Sequence, residues 1–213
     1  MRPITIHRRL KSAAGHLPGV SLALVVAACL VMAFPSLADR LQYDRSAVLE
    51  GELWRIVTCH LTHWSLDHLF WDVTALLFLG FVIEQHKRRR LLTCMGLSAV
   101  LIPLAVFVCM PELSTYRGLS GIDSAVFMLL AVTLFSDSWE QRDWGWMLVC
   151  TAVMGGFAAK TGFEFVTGTT LFVDAMAAEM LPVPLAHVIG AGSGVLCGMR
   201  WKPRPQVESL ALG

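Results

Sequence analysis

Residues 65–110 read SLDHLFWDVTALLFLGFVIEQHKRRRLLTCMGLSAVLIPLAVFVCM. Two apolar blocks, about 65–83 and 91–110, flank the polar run Gln85-His86-Lys87-Arg88-Arg89-Arg90. Each block has roughly the 17–20 residues that a helix needs to cross the hydrocarbon core of a bilayer. The basic run has the composition of a cytoplasmic turn, because cytoplasmic loops retain Lys and Arg. A soluble protein hides one such block in its core, but this chain has several.

Working outward, the same pattern predicts spans at about 19–38, 119–135, 144–159 and 183–199. The polar stretch 39–54 is read as a loop, and 136–143 as a short connection. Residues 160–182 carry too many Gly and acidic residues to count as a span. The first block also resembles a secretory signal, with a basic flank before it and Ser36-Leu37-Ala38 at its end. Retention of this helix is the expectation, since the bundle needs it. Across 213 residues, 55% are hydrophobic and 15% charged, where soluble domains carry about 25% charge. The fold class is therefore an all-α polytopic membrane protein of six helices. Its parts are a basic N-terminus 1–18, a membrane domain 19–200 and a tail 201–213.

With the N-terminus inside, the cytoplasmic side collects Arg2, Arg8, Arg9, Lys11, Lys87, Arg88, Arg89, Arg90, Arg142, Arg200, Lys202 and Arg204, which is 12 of the 17 Lys and Arg. Both termini are then cytoplasmic. The net charge of +1 gives no argument for nucleic acid. The six cysteines stand singly in or beside apolar blocks, without the paired spacing of a zinc knuckle or disulfide framework, and read as small buried hydrophobes. No internal repeat supports an inverted-repeat transporter.

Polar groups inside such blocks are functional candidates, because burying them costs several kcal/mol. Three clusters stand out. In Tyr116-Arg117-Gly118-Leu119-Ser120-Gly121, a serine between glycines opens the fourth span. It is sterically open and needs a neighbouring base to become a nucleophile; it could equally be a helix-start serine packed through glycines. His187 begins the sixth span at about the same depth. Gly190 and Gly194 lie three and seven residues later, a small-xxx-small face on which two membrane helices approach closely. His187 is thus a candidate base, or a polar anchor at the interface. The third cluster holds His60, His63, His68 and Asp72, with His68 and Asp72 on one helix face. These residues could bind zinc or iron, without the HExxH pattern of membrane metalloproteases, or could surround an oxyanion.

Taken together, Trp54-Arg55, His63, His68, Glu84, Gly118-Leu119-Ser120-Gly121, Ala186-His187, Gly190 and Gly194 resemble the rhomboid family of intramembrane serine proteases. The resemblance implies a Ser–His dyad that works without a third acid, Ser120 as nucleophile and His187 as base. It places His68 and the backbone around Gly118 and Ser120 in the oxyanion hole. It implies no cofactor and no metal, substrates that are other proteins' transmembrane segments, and a cavity opening to the outer face of a bacterial inner membrane. Two positions depart from the family pattern: Asp72 replaces an asparagine, and Ser124 replaces an aromatic residue four positions after the serine. Asp72 is either protonated by burial or turned away and paired with His68, and the pairing is the expectation. The run Tyr116–Gly121 and the compact form look like the rhombosortase branch, associated with GlyGly-type C-terminal sorting tails. A catalytically inactive relative that binds membrane helices, and a membrane metal or haem protein, are the rival readings.

Overall fold

The computed structural model describes residues 17–171 and 182–199. The basic N-terminus, part of the 160–182 stretch and the C-terminal tail, all named in the sequence reading, lie largely or wholly outside the described residues. The described chain is almost entirely helical: α1 (Gly19–Ala33), α2 (Pro35–Leu41), the short α3 (Arg45–Leu49) and α4 (Arg55–Thr58), α5 (Leu66–Gln85), α6 (Lys87–Cys109), α7 (Ser120–Gln141), α8 (Trp144–Thr167) and α9 (Pro184–Gly198). In lipid only helices or closed barrels satisfy every backbone polar group. A two-residue antiparallel pair, β1 (Tyr43–Asp44) with β2 (Thr115–Tyr116), ties the 39–64 segment to the loop before α7.

Among the described residues, α5, α6, α7 and α8 are long and apolar enough to cross a membrane. The pair α1 and α2 makes a fifth candidate, bent by 116° at Phe34 and Pro35. The sixth expected span coincides with α9, which is apolar but has only 15 residues. At 1.5 Å per residue it rises about 22 Å, against a hydrocarbon core of about 30 Å. The expected first span, 19–38, is thus interrupted, because Pro35 cannot continue the hydrogen-bond ladder of α1. Between α5 and α6 the backbone leaves helical geometry only at Lys87, with φ −143°. The expected 136–143 connection shrinks to a turn: α7 runs on to Gln141, Arg142 takes a left-handed φ of 55°, and Asp143 caps α8 by accepting from the Trp146 N–H.

The tightest packing is between α7 and α9. A Cβ on Gly190 would collide with the Gly121 carbonyl, one on Gly194 with the Ala125 carbonyl, and one on Gly198 would come within 2.9 Å of Val132. Where no hydrophobic effect drives helices together, this backbone proximity supplies the van der Waals contact that holds them. Away from this seam, buried polar side chains close helix ends. Glu84 on α5 accepts from the backbone N–H groups of Val20 and Ser21 and from the Ser21 hydroxyl, satisfying first-turn donors of α1 that have no partner inside their helix. Arg90 donates to the Gly198 carbonyl at the C-terminal end of α9.

The 39–64 segment, of which 39–54 was expected to be a loop, is organised by three arginines. Arg55 is buried and donates to the Asp39 and Gln42 carbonyls and to Glu52. Arg45 donates to the Phe107 carbonyl and stacks over that ring. Arg117 donates to the Gln42 side chain, the His63 carbonyl and the Asp39 carboxylate, and its guanidinium lies over Trp64. All six cysteines are free.

Candidate active site

Ser120 is the first residue of α7. The helix begins there because Gly118 has a φ of +123°, a conformation that carries a side chain poorly. A Cβ at Gly118 would also come 2.8 Å from His68 Nε2. Position 118 therefore needs glycine for both conformation and space. The Gly118 N–H donates to the Cys59 carbonyl, and its own carbonyl lies 3.1 Å from His60 Nδ1. His60 Nε2 lies 3.1 Å from the Ala99 carbonyl on α6. Burial pushes the His60 pKa below its usual value, opposed by the two carbonyls that its ring nitrogens face.

His187 sits in the first turn of α9, next to Pro184 at the helix start, and is buried. Its Nε2 lies 3.2 Å from Ser120 Oγ, a distance at which the hydroxyl donates to the ring. The seam of Gly121 and Gly190 sets that distance, because it lets α9 lie against the first turn of α7. On the other side of the ring, Nδ1 lies 3.0 Å from Glu164 Oε2. Glu164 comes from α8, only 1% of its side chain is exposed, and its second oxygen pairs with Lys160 Nζ at 2.8 Å. The sequence reading expected no third acid and took 160–182 for broken sequence. Instead α8 continues to Thr167 and presents both residues one turn apart. The Lys160–Glu164 spacing of four was the available signal, since it places a cation and a carboxylate on one helix face.

Facing these residues across the cavity is a second buried cluster. Asp72 Oδ2 accepts from the Leu119 N–H at 2.8 Å and lies 3.2 Å from His63 Nε2 and 3.3 Å from His68 Nε2. Asp72 thus lies within reach of His68, the neighbour expected for it from sequence. The geometry adds two partners that sequence could not reveal, His63 and the backbone directly before Ser120. Four residues beyond the serine, Ser124 turns its hydroxyl back to donate to the Ser120 carbonyl at 2.8 Å. One residue earlier, Asp123 is buried and lines the cavity, and neither of its carboxylate oxygens has a hydrogen-bond partner among the described residues. Sequence reading missed it, because a carboxylate three residues after the serine belongs to no motif that had been singled out.

These groups line one cavity of about 710 Å³, walled by Trp64, Trp71, Phe78, Phe127 and Phe157 as well as by the polar residues. His60, one of the candidate metal ligands, has each ring nitrogen 3.1 Å from a backbone carbonyl. Among the described residues no three His, Cys, Asp or Glu side chains converge as a metal ion would require.

The Rhomboid domain family matches residues 50–203, most of the chain and all of the site. The chain belongs to the rhomboid family. It is thus a multi-pass helical membrane protein of a family whose members are generally intramembrane serine proteases. No curated protein matches the sequence. Within this rhomboid domain, the fold brings Ser120, His187, His68 and Asp72 to one cavity, sets Gly118 against His68, and lays Gly121, Gly190 and Gly194 along the seam.

Proposed function

We propose that this rhomboid is an active intramembrane serine endopeptidase in which Ser120 is the nucleophile and His187 the general base. The observation that carries the reading is the 3.2 Å approach of His187 Nε2 to Ser120 Oγ in a cavity at the start of a membrane helix. Ser120 Oγ attacks the carbonyl carbon of the scissile peptide while His187 Nε2 takes its proton. The tetrahedral intermediate collapses, the C–N bond breaks, and the proton passes from His187 to the leaving amine. Water then hydrolyses the acyl-enzyme with His187 again as base.

The oxyanion is received at the head of α7. The Ser120 N–H has no carbonyl one turn earlier in its own helix to bond, and the positive end of the helix dipole points at the same place. His68 borders that space through its close approach to Gly118. The substrate is a membrane protein whose helix unwinds near Ser120. It is read as bearing a GlyGly-type C-terminal tail, as in the rhombosortase branch, and as entering from the outer face of a bacterial inner membrane.

Two reporters test this. Each carries an exported domain, one with a Gly-Gly tail followed by a transmembrane helix and basic residues, the other with an unrelated transmembrane segment. Coexpressed wild-type protein should release the first domain, and Ser120→Ala should not. Release of the second alone would overturn the sorting-tail assignment. Retention of both with wild type would overturn the protease reading.

A further inference from the structure

In a Ser–His mechanism the productive imidazole accepts at Nε2 and carries its proton on Nδ1. In this structure Nδ1 has two neighbours of opposite demand. Glu164 Oε2, at 3.0 Å, can only accept while ionised; Lys160 Nζ, at 3.3 Å, can only donate. An Nδ1 that bears a proton satisfies Glu164 and leaves Nε2 free to accept from Ser120. An Nδ1 that accepts from Lys160 puts the proton on Nε2, facing the Ser120 hydroxyl, and the base is then on the wrong nitrogen. The 2.8 Å ion pair draws the ammonium toward the other Glu164 oxygen, and at Nδ1 the carboxylate is the nearer neighbour, 3.0 Å against 3.3 Å.

We propose that Glu164 is a positioning residue for the peptidase reaction: it holds His187 in the tautomer that accepts the serine proton, and it restrains Lys160 from imposing the opposite one. The inference rests on the Ser120–His187 reading above and adds an orienting carboxylate to its pair, with Lys160 as the counter-ion of that carboxylate. The side chains support this economy. Glu164 is almost fully enclosed, whereas Lys160 reaches the cavity edge with 22% of its side chain exposed. A carboxylate so enclosed would be costly without its cation. The cation is tolerated beside an imidazole only because the carboxylate stands against both.

A fluorophosphonate probe reads this step directly, because Ser120 Oγ forms a bond to phosphorus, fluoride leaves, and His187 takes the serine proton. Labelling rates would be measured on the purified full chain over a range of probe concentrations. For Glu164→Gln, close to isosteric, the maximal labelling rate should fall by about 100-fold, with the half-saturating probe concentration little changed. In chymotrypsin-type proteases the comparable loss of the orienting carboxylate costs roughly 10⁴ in kcat through the wrong tautomer. The decisive variant is the double one. Adding Lys160→Met to Glu164→Gln removes the competing donor and should restore the rate by about tenfold over Glu164→Gln alone, an outcome a purely structural role for Glu164 would not give. Labelling of Glu164→Gln at the wild-type rate, or a double variant no faster than Glu164→Gln, would overturn the inference while leaving Ser120 and His187 as the reacting pair. Failure of wild-type protein to label at Ser120 would overturn the underlying reading instead.

Discussion

Two buried histidines flank Ser120, each beside a carboxylate, and they are held differently. His187 stands between Ser120 Oγ and Glu164, and the charge of Glu164 is matched by Lys160 on the same helix. His68 stands beside Asp72, whose charge is shared among two imidazoles and the Leu119 N–H. The first arrangement leaves one ring nitrogen facing a hydroxyl, as proton transfer demands. The second anchors a loop, because Asp72 spends its best hydrogen bond on the backbone just before the serine. Chemically similar pairs are therefore set up differently by what lies beyond the carboxylate.

The largest effects should come from the first pair. Ser120→Ala and His187→Ala should each reduce cleavage of the tail reporter to background, and the double variant should be no worse, since nucleophile and base act as a unit. A double variant markedly slower than either single would separate the two residues into different steps. Next comes the seam that brings the pair together. Gly190→Val places side-chain atoms against the Gly121 carbonyl, and a displacement of about 1 Å at a catalytic pair costs roughly a hundredfold. Near-normal cleavage by this variant would mean that α9 reaches α7 by some other contact.

The second pair should respond in stability before activity. Asp72→Ala strands the buried Leu119 N–H and should lower stability by about 1–3 kcal/mol in a detergent unfolding assay. Asp72→Asn keeps an acceptor for that N–H and should recover most of the loss. Glu164→Gln should differ in kind: its slow chemistry should be relieved in part by adding Lys160→Met, which a loss of stability alone would not give. If Asp72→Asn were as slow as Glu164→Gln yet fully stable, the contrast between the two carboxylates would fail.

Parts of this were legible in the sequence for reasons that can be named. Gly190 and Gly194 repeat at helical spacing, and Ser120 and His187 each open an apolar block, so local pattern made them candidates and the joint resemblance paired them. Glu164 was passed over despite its spacing from Lys160, because Lys160, Thr161, Gly162 and Glu164 dilute the apolar signal of α8 and hydropathy then reads a broken segment. The Leu119–Asp72 bond joins residues 47 apart through a backbone N–H, which no side-chain pattern encodes. The bend at Phe34 and Pro35 carried a signal in its proline, but hydropathy alone reads straight across it.

The smallest effect should lie outside the membrane segments. Asp44 caps α3, accepting from the Ala47 N–H and the Ser46 hydroxyl, and the Ser46 hydrogen bond, followed by that of Ala47, holds its carboxyl below the usual value. A lowered folded-state pKa contributes stability that is present above the unfolded value and lost as pH falls through the folded one. Asp44→Ala should therefore cost about 1 kcal/mol at neutral pH, and the gap to wild type should close on acidification. A gap independent of pH would mean that the cap does not depend on charge.

Mapping the fluorophosphonate adduct by mass spectrometry tests the central claim most directly. A single adduct is expected on the peptide containing Ser120 in wild-type protein, none in Ser120→Ala, and background labelling in His187→Ala. An adduct that persists in Ser120→Ala, or labelling of His187→Ala at the wild-type rate, would contradict that claim.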